Sequence, residues 1–205
     1  MLLYLQDAVS TLLTRRKGAK KKLNTFINFV KKGEDVSKRS TTVISPISLL
    51  DSASDWELLV DFAGNRIIFP PEIYPTSERP DIIIFSKALH RVFLVELTCP
   101  AEEGIEEARL YKQGRYAKLV AAINDNKDSS WAAELFTIEA GARGFVAHSM
   151  MKFLRKIGMS PRKARAACKD ISLITARCSY AIFLARESQH WDAKRDLLTL
   201  PSREL

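Results

Sequence analysis

Two apolar, β-branched runs, IIIF after Asp81 and VFLV before Glu96, each carry one carboxylate at an end. A carboxylate among Ile, Val and Phe side chains is costly unless it is paired, hydrogen-bonded or bound to a cation. An Asp and a Glu facing one gap suit Mg²⁺ or Mn²⁺, hard cations that take carboxylate oxygens together with water and phosphate oxygens. Strand-end acids that are half solvated, or paired to Arg79 and Arg91, would need no cation at all. The segment that follows favours the first alternative. Residues 102–123 carry Ile105, Ala108, Leu119 and Val120 at helical spacing, with Pro100 ahead of acids in the first turn. Arg109, Lys112 and Tyr116 recur on that helix at intervals of three and four, so they share one face, which can look back at the strand ends.

The two runs are joined by the short polar segment 86–91 and read as a β-hairpin. Antiparallel pairing then brings Asp81 and Glu96 together at one end of the ladder. Upstream, residues 56–62 predict a first core strand that turns at Gly64-Asn65 into 66–69, where Pro70-Pro71 ends the pairing. Glu57, Asp61 and Glu72 are further acids in this region. Glu57 and Asp61 share a strand face opposite Leu58 and Val60, for which solvent is the favoured reading. Downstream, residues 134–139 (ELFTIE) read as a fourth strand closed by Gly141 and Gly144. These glycines suit a tight turn and would also let backbone amides approach phosphate, with Arg143 between them as a phosphate contact. Helices follow over 145–157 and 161–187, the second with Ser160 as N-cap before Pro161. Helices over 2–13 and 23–30, a loop over 33–45 and a loose tail after Gln189 complete the chain.

The expected architecture is α/β, a small mixed sheet flanked by N-terminal and C-terminal helices. It divides into a basic helical segment 1–45, a domain over 46–188 that includes the basic C-terminal helices, and a flexible tail 189–205. The net charge of +8 is segregated: residues 1–40 hold ten Lys/Arg against three Asp/Glu, residues 41–144 ten against sixteen, and residues 145–205 twelve against five. An acidic centre between basic flanks fits a carboxylate metal site beside surfaces that neutralise phosphates. A solvated charged face is the plainer account of any one basic run. Candidate nucleic-acid contacts are Arg15, Arg16, Lys20, Lys21 and Lys22, then Arg79, Arg143, Lys152 and Arg155, then Arg162, Lys163, Arg165 and Lys169. The cluster 15–22 has equally the composition of a nuclear-localisation signal. No run approaches a membrane span in length and no signal-peptide pattern opens the sequence. Cys99, Cys168 and Cys178 have no zinc spacing and read as buried thiols of a reducing, intracellular protein. His90, His148 and His190 lack any catalytic partner pattern and read as ordinary surface or capping residues.

These residues resemble the PD-(D/E)xK nuclease superfamily, the restriction-endonuclease-like fold. The matching pieces are Pro80-Asp81, then Glu96-Leu97-Thr98, then a helix with Lys112 four residues before Tyr116. The resemblance implies an αβββαβ core, Asp81 and Glu96 as metal ligands with the Leu97 carbonyl as a third, and hydrolysis of DNA phosphodiester bonds. Thr98 stands where the motif has its lysine. Several branches of the superfamily carry that lysine on the next helix, the place held here by Lys112, with Arg109 as a second cation and Tyr116 bracing the same face. A nearer resemblance is to the endonuclease-like segments of animal non-LTR retrotransposons, carried in order by FPPEI (69–73), RPD (79–81), VELTCP (95–100), KQGRY (112–116) and GARGF (141–145). It spans roughly residues 56–186 and implies a nuclear protein acting on DNA or RNA, able to form a homodimer or to belong to a larger polyprotein with a reverse transcriptase. The alternative is a catalytically inactive nucleic-acid-binding domain of the same fold, which the Thr98 substitution motivates. A protein-interaction domain would leave the charge segregation without a cause.

Overall fold

The structure, a computed structural model, describes residues 1–17, 48–61, 66–127 and 129–186, with the side chains of residues 15–17 excepted. The described elements run α1 (Leu2–Lys17), β1 (Glu57–Val60), β2 (Ile82–Ser86), β3 (Arg91–Thr98), α2 (Ile105–Asn124), β4 (Ala132–Glu139), α3 (His148–Lys156) and α4 (Pro161–Ala185). The strands form one mixed sheet in the order β1-β2-β3-β4. The first two pairings are antiparallel and β3 pairs with β4 in parallel. A parallel pair needs a long crossover, and α2 supplies it. The protein is therefore of mixed α/β class, with helices on both sheet faces.

Alternation along the strands divides the core in two. Ile82, Ile84, Phe93, Val95 and Ile138 face a layer built from α1, α3 and α4, through Leu5 and Val9, Phe153 and Leu154, Ala164 and Ile171. Trp56 stacks on Phe93 at 5.3 Å in this layer. Small residues at Ala164 and Ala167 let α4 approach closely, and Tyr4 of α1 donates to Asp170 of α4 at 2.9 Å. On the other face Ile83, Phe85, Val92 and Leu94 pack under Tyr116, Leu119 and Ile123 of α2, with Phe69, Ile73 and Trp131 at the rim.

Five details depart from the sequence expectations. The first helix, expected over 2–13, runs on to Lys17 and takes in the start of the basic run. Residues 66–69 do not pair with β1: the Ile67 amide turns to the Asp61 carboxylate at 3.2 Å, and Phe69 is held by burial in the α2-side core. Residues 102–104 form a 3-10 turn ahead of α2. The third helix starts at His148, because Val146 bridges back to Ala140 and the Gly141 amide donates to the Phe145 carbonyl at 2.6 Å. Gly144 makes that reversal with φ of 100°, in the left-handed region that glycine alone enters freely. The cysteines are not a buried set, for Cys99 is exposed and Cys168 and Cys178 are half-buried. Ser160 caps α4 by accepting the Lys163 amide, with Pro161 opening the helix. The helix expected over 23–30, the loop 33–45, the Gly64-Asn65 turn, His190 and the tail lie outside the described residues. No helix among the described residues is long and apolar enough to cross a membrane.

Candidate functional site

The β2–β3 register pairs Ile82 with Val95, so Asp81 and Glu96 are the next cross-strand neighbours, on the face covered by α2. Each carboxylate is tied to the backbone of the opposite strand. The Asp81 amide donates to Glu96 Oε1 at 3.1 Å, and the Leu97 amide donates to Asp81 Oδ2 at 2.8 Å. Leu97 thus reaches this point through its N–H as well as through its place in the chain. Glu96 is 1% exposed, and its second oxygen, Oε2, takes Lys112 Nζ at 2.6 Å. A buried carboxylate that loses its one cationic partner is left uncompensated, so this contact holds both the charge and the rotamer of Glu96. Burial nevertheless dominates and pushes the Glu96 carboxyl above the usual glutamate range. The Asp81 charge adds to the rise, while Lys112 works against it.

Tyr116, one turn after Lys112, is buried with its hydroxyl close to Glu96, and burial pushes its own ionisation up. With a single hydrogen to give, that hydroxyl serves the Arg79 carbonyl at 3.0 Å. It therefore ties α2 to the residue two before Asp81. The Arg79 side chain is engaged elsewhere, donating to both Asp61 oxygens at 2.7 and 2.6 Å and holding that carboxyl below the usual range. The Asp61 amide in turn donates to the Asp81 carbonyl at 2.9 Å, so β1, β2, β3 and α2 are bound into one end of the sheet.

The other candidate residues are placed as follows. Arg109 lies on α2 one turn before Lys112 and forms an ion pair with Glu106, without a bond to Asp81 or Glu96. Glu57 and Glu72 both pair with Lys87, at 3.7 and 3.3 Å, near the hairpin turn and thus at the far end of the sheet. Arg143 is clasped by Glu102 at 2.7 Å and Glu103 at 3.1 Å. Its amide donates to Glu102 as well, and a Cβ on Gly141 would stand 2.5 Å from the same carboxylate. The loop after β4 is thereby fixed against the start of α2. Lys152 and Arg155 are exposed on α3, with the Arg155 guanidinium donating to the Met159 carbonyl at 3.1 Å. Arg162, Lys163, Arg165 and Lys169 are all exposed on α4. Arg15 and Arg16 fall within α1 without described side chains, and Lys20, Lys21 and Lys22 lie outside the described residues. His90 closes the hairpin with φ of 49° and shares a hydrogen bond with Ser130.

One residue of this region carries no signal in the sequence. Glu139, at the end of β4, is 1% exposed and sits opposite Thr98 in the parallel register. Only the crossover of α2 sets that register, so no local pattern announces it.

The chemistry available here is that of two cross-strand carboxylates and a lysine in a largely dehydrated corner. Among the described residues no three His, Cys, Asp or Glu side chains converge. Mg²⁺ is commonly held by one or two carboxylates, with water and substrate phosphate completing its shell, and the oxygen donors of Asp81 and Glu96 fit that demand. No protein-family model matches the chain, and no curated protein matches it.

Proposed function

We propose that the protein is a metal-dependent endonuclease that hydrolyses DNA phosphodiester bonds, with a restriction-endonuclease-like core and an origin in a transposable element. The observation that carries this reading is the convergence of Asp81, Glu96 and Lys112 at one buried corner, where Lys112 Nζ stands 2.6 Å from Glu96 Oε2. The element order α1-β1-β2-β3-α2-β4 supports it, since it is the αβββαβ order of the resembling superfamily. So does the exposure of four cations on α4, a surface suited to phosphates.

Asp81 and Glu96, with the Leu97 carbonyl, would hold Mg²⁺ or Mn²⁺. When bound, the cation lowers the pKa of a coordinated water and neutralises charge on the phosphate. The chain's own residues do the rest. Tyr116 fixes α2 against the Arg79 carbonyl, which keeps Lys112 over the carboxylate pair. Lys112 can move from Glu96 toward the charge that develops on phosphate, a transfer that its flexible four-carbon stem permits. Arg109, one turn away on the same helix, supplies a second positive charge. The basic faces of α3 and α4 bind the phosphate backbone irrespective of sequence. DNA, or RNA of similar backbone, is the partner, and the basic cluster at 15–22 fits a nuclear location.

A second reading is a nucleic-acid-binding domain without catalysis. It is favoured by the Lys112–Glu96 ion pair, which engages a candidate ligand oxygen, and by Thr98 at the motif lysine position. Nicking of supercoiled plasmid with Mg²⁺ or Mn²⁺ separates the two. The parent protein is expected to nick, and Asp81→Ala is expected to remove nicking while leaving the thermal midpoint within a few degrees. Equal nicking by parent and variant would refute the assignment, and a gel shift without nicking would favour the second reading.

A further inference from the structure

Three buried side-chain polar atoms have no hydrogen-bond partner among the described residues: Thr98 Oγ1, Arg109 Nε and Glu139 Oε1. Buried polar atoms are nearly always paired, and an exception calls for a reason. All three belong to one corner. Thr98 lies two residues beyond Glu96 on the same strand face and is the register neighbour of Glu139. Gln113 Nε2 of α2 contacts Thr137 Oγ1 of β4 at 3.4 Å, which fixes the helix against the strand. Arg109 precedes Gln113 by about one helical turn, roughly 6 Å, and Glu139 follows Thr137 by two residues, roughly 7 Å. Because α2 returns along the sheet between parallel strands, both displacements point to the same end, which puts Arg109 at the Glu139 end of the sheet.

Glu139 and Arg109 are anchored at their other ends. Glu139 Oε2 accepts from the Ser149 hydroxyl in the first turn of α3, and the Glu139 carbonyl takes the Ala147 amide at 3.0 Å. Arg109 binds Glu106 through Nη2. What is left over is one acceptor, one donor and one hydroxyl that can act as either. A cation is poorly served beside a guanidinium and a lone carboxylate, and an anion is poorly served beside Glu139. A water molecule, which typically makes about three hydrogen bonds to such groups, is served by all three.

We propose that Thr98, Arg109 and Glu139 hold the water that attacks the phosphodiester, with Glu139 as its proton acceptor. The proposal rests on the endonuclease reading and gives Thr98 a role of its own. The water oxygen forms a bond to phosphorus as the bond to the leaving sugar oxygen breaks. One water proton passes to Glu139 Oε1, and the leaving oxygen takes a proton from solvent. Thr98 and Arg109 are positioning residues, and Glu139 touches the reacting atoms.

Two measurements test this. The first needs no cleavage. If the Thr98 hydroxyl binds a water held by the other two groups, Thr98→Val lowers the thermal midpoint and Thr98→Ser preserves it. An orphaned hydroxyl gives the opposite sign, because the isosteric Val removes an unsatisfied polar group, and an unchanged or higher midpoint in Thr98→Val overturns the proposal. The second is single-turnover plasmid nicking at saturating protein. Glu139→Gln, which keeps an oxygen for Ser149, is expected to slow nicking about a hundredfold or more, with DNA affinity and midpoint unchanged. A parental rate in Glu139→Gln overturns the proton transfer while the endonuclease reading stands. Nicking that survives Asp81→Ala, or is absent from the parent protein, overturns that reading and the attacking role with it, and the Thr98 measurement still decides whether the three groups bind water.

Discussion

The two faces of the sheet are made from the same strands and are filled differently. On the face toward α1, α3 and α4, the positions from the middle of the sheet to its Asp81 end stay apolar, Ile82 and Ile84, Phe93 and Val95, Ile138 and Ala140, while Ser86 and Glu134 lie toward the hairpin end. On the face toward α2 the inward positions begin as Phe85, Val92 and Leu94 and end as Asp81, Glu96, Thr98 and Glu139. Folding alone gives no reason for the change, because a buried ion pair is seldom more stabilising than apolar residues of the same size. The first face is built for cohesion. The second gives up cohesion at one end to place charge, and the candidate chemistry sits there.

Substitutions on the two faces should therefore separate stability from activity. Phe93→Ala, on the first face, removes a buried ring that stacks on Trp56, and is expected to cost about 3–5 kcal/mol. Urea unfolding measures that loss. Residual nicking per folded molecule should stay near the parental value, and a selective loss of nicking would break the division between faces.

Lys112→Ala, on the second face, should act mainly on rate. Loss of one transition-state electrostatic contact is expected to slow single-turnover nicking by about a hundredfold or more, with little change in DNA affinity. Lys118→Ala, from the same helix, is the control. Equal rates in the two variants would remove Lys112 from the chemistry and leave Arg109 as the next candidate.

The smallest effect concerns pH. Burial raises the Glu96 carboxyl above its ordinary value of 4.5, so between that value and the raised one the folded state binds more protons than the unfolded state. Stability contributed by the protonated form is present at low pH and declines as pH rises through that window. Glu96→Gln cannot titrate, so its unfolding midpoint should gain on that of the parent protein as pH rises above about 4.5. Parallel pH profiles would mean that Lys112 offsets the burial fully.

The central hairpin and its two acids were legible because they are local. Two β-branched runs joined by a short turn force antiparallel pairing, and pairing forces Asp81 beside Glu96. The helical face with Lys112 and Tyr116 was legible for the same reason, since spacing of four residues fixes it. Residues 66–69 misled, because their apolar pattern satisfies burial as irregular chain once Asp61 accepts the Ile67 amide. Phe145 misled too, since the start of α3 was decided by its backbone pairing with Gly141.

The sequence by itself thus determined the central hairpin, the helix that follows it and the neighbourhood of two carboxylates, all set by short-range interactions. Only the tertiary structure decided which cation meets Glu96, that Asp61 engages Arg79 while Arg143 is clasped by Glu102, and that Glu139 stands opposite Thr98. Those choices depend on the parallel register of β3 and β4 and on how α2 lies across it. A crossover of that length leaves no local periodicity from which the register could be read.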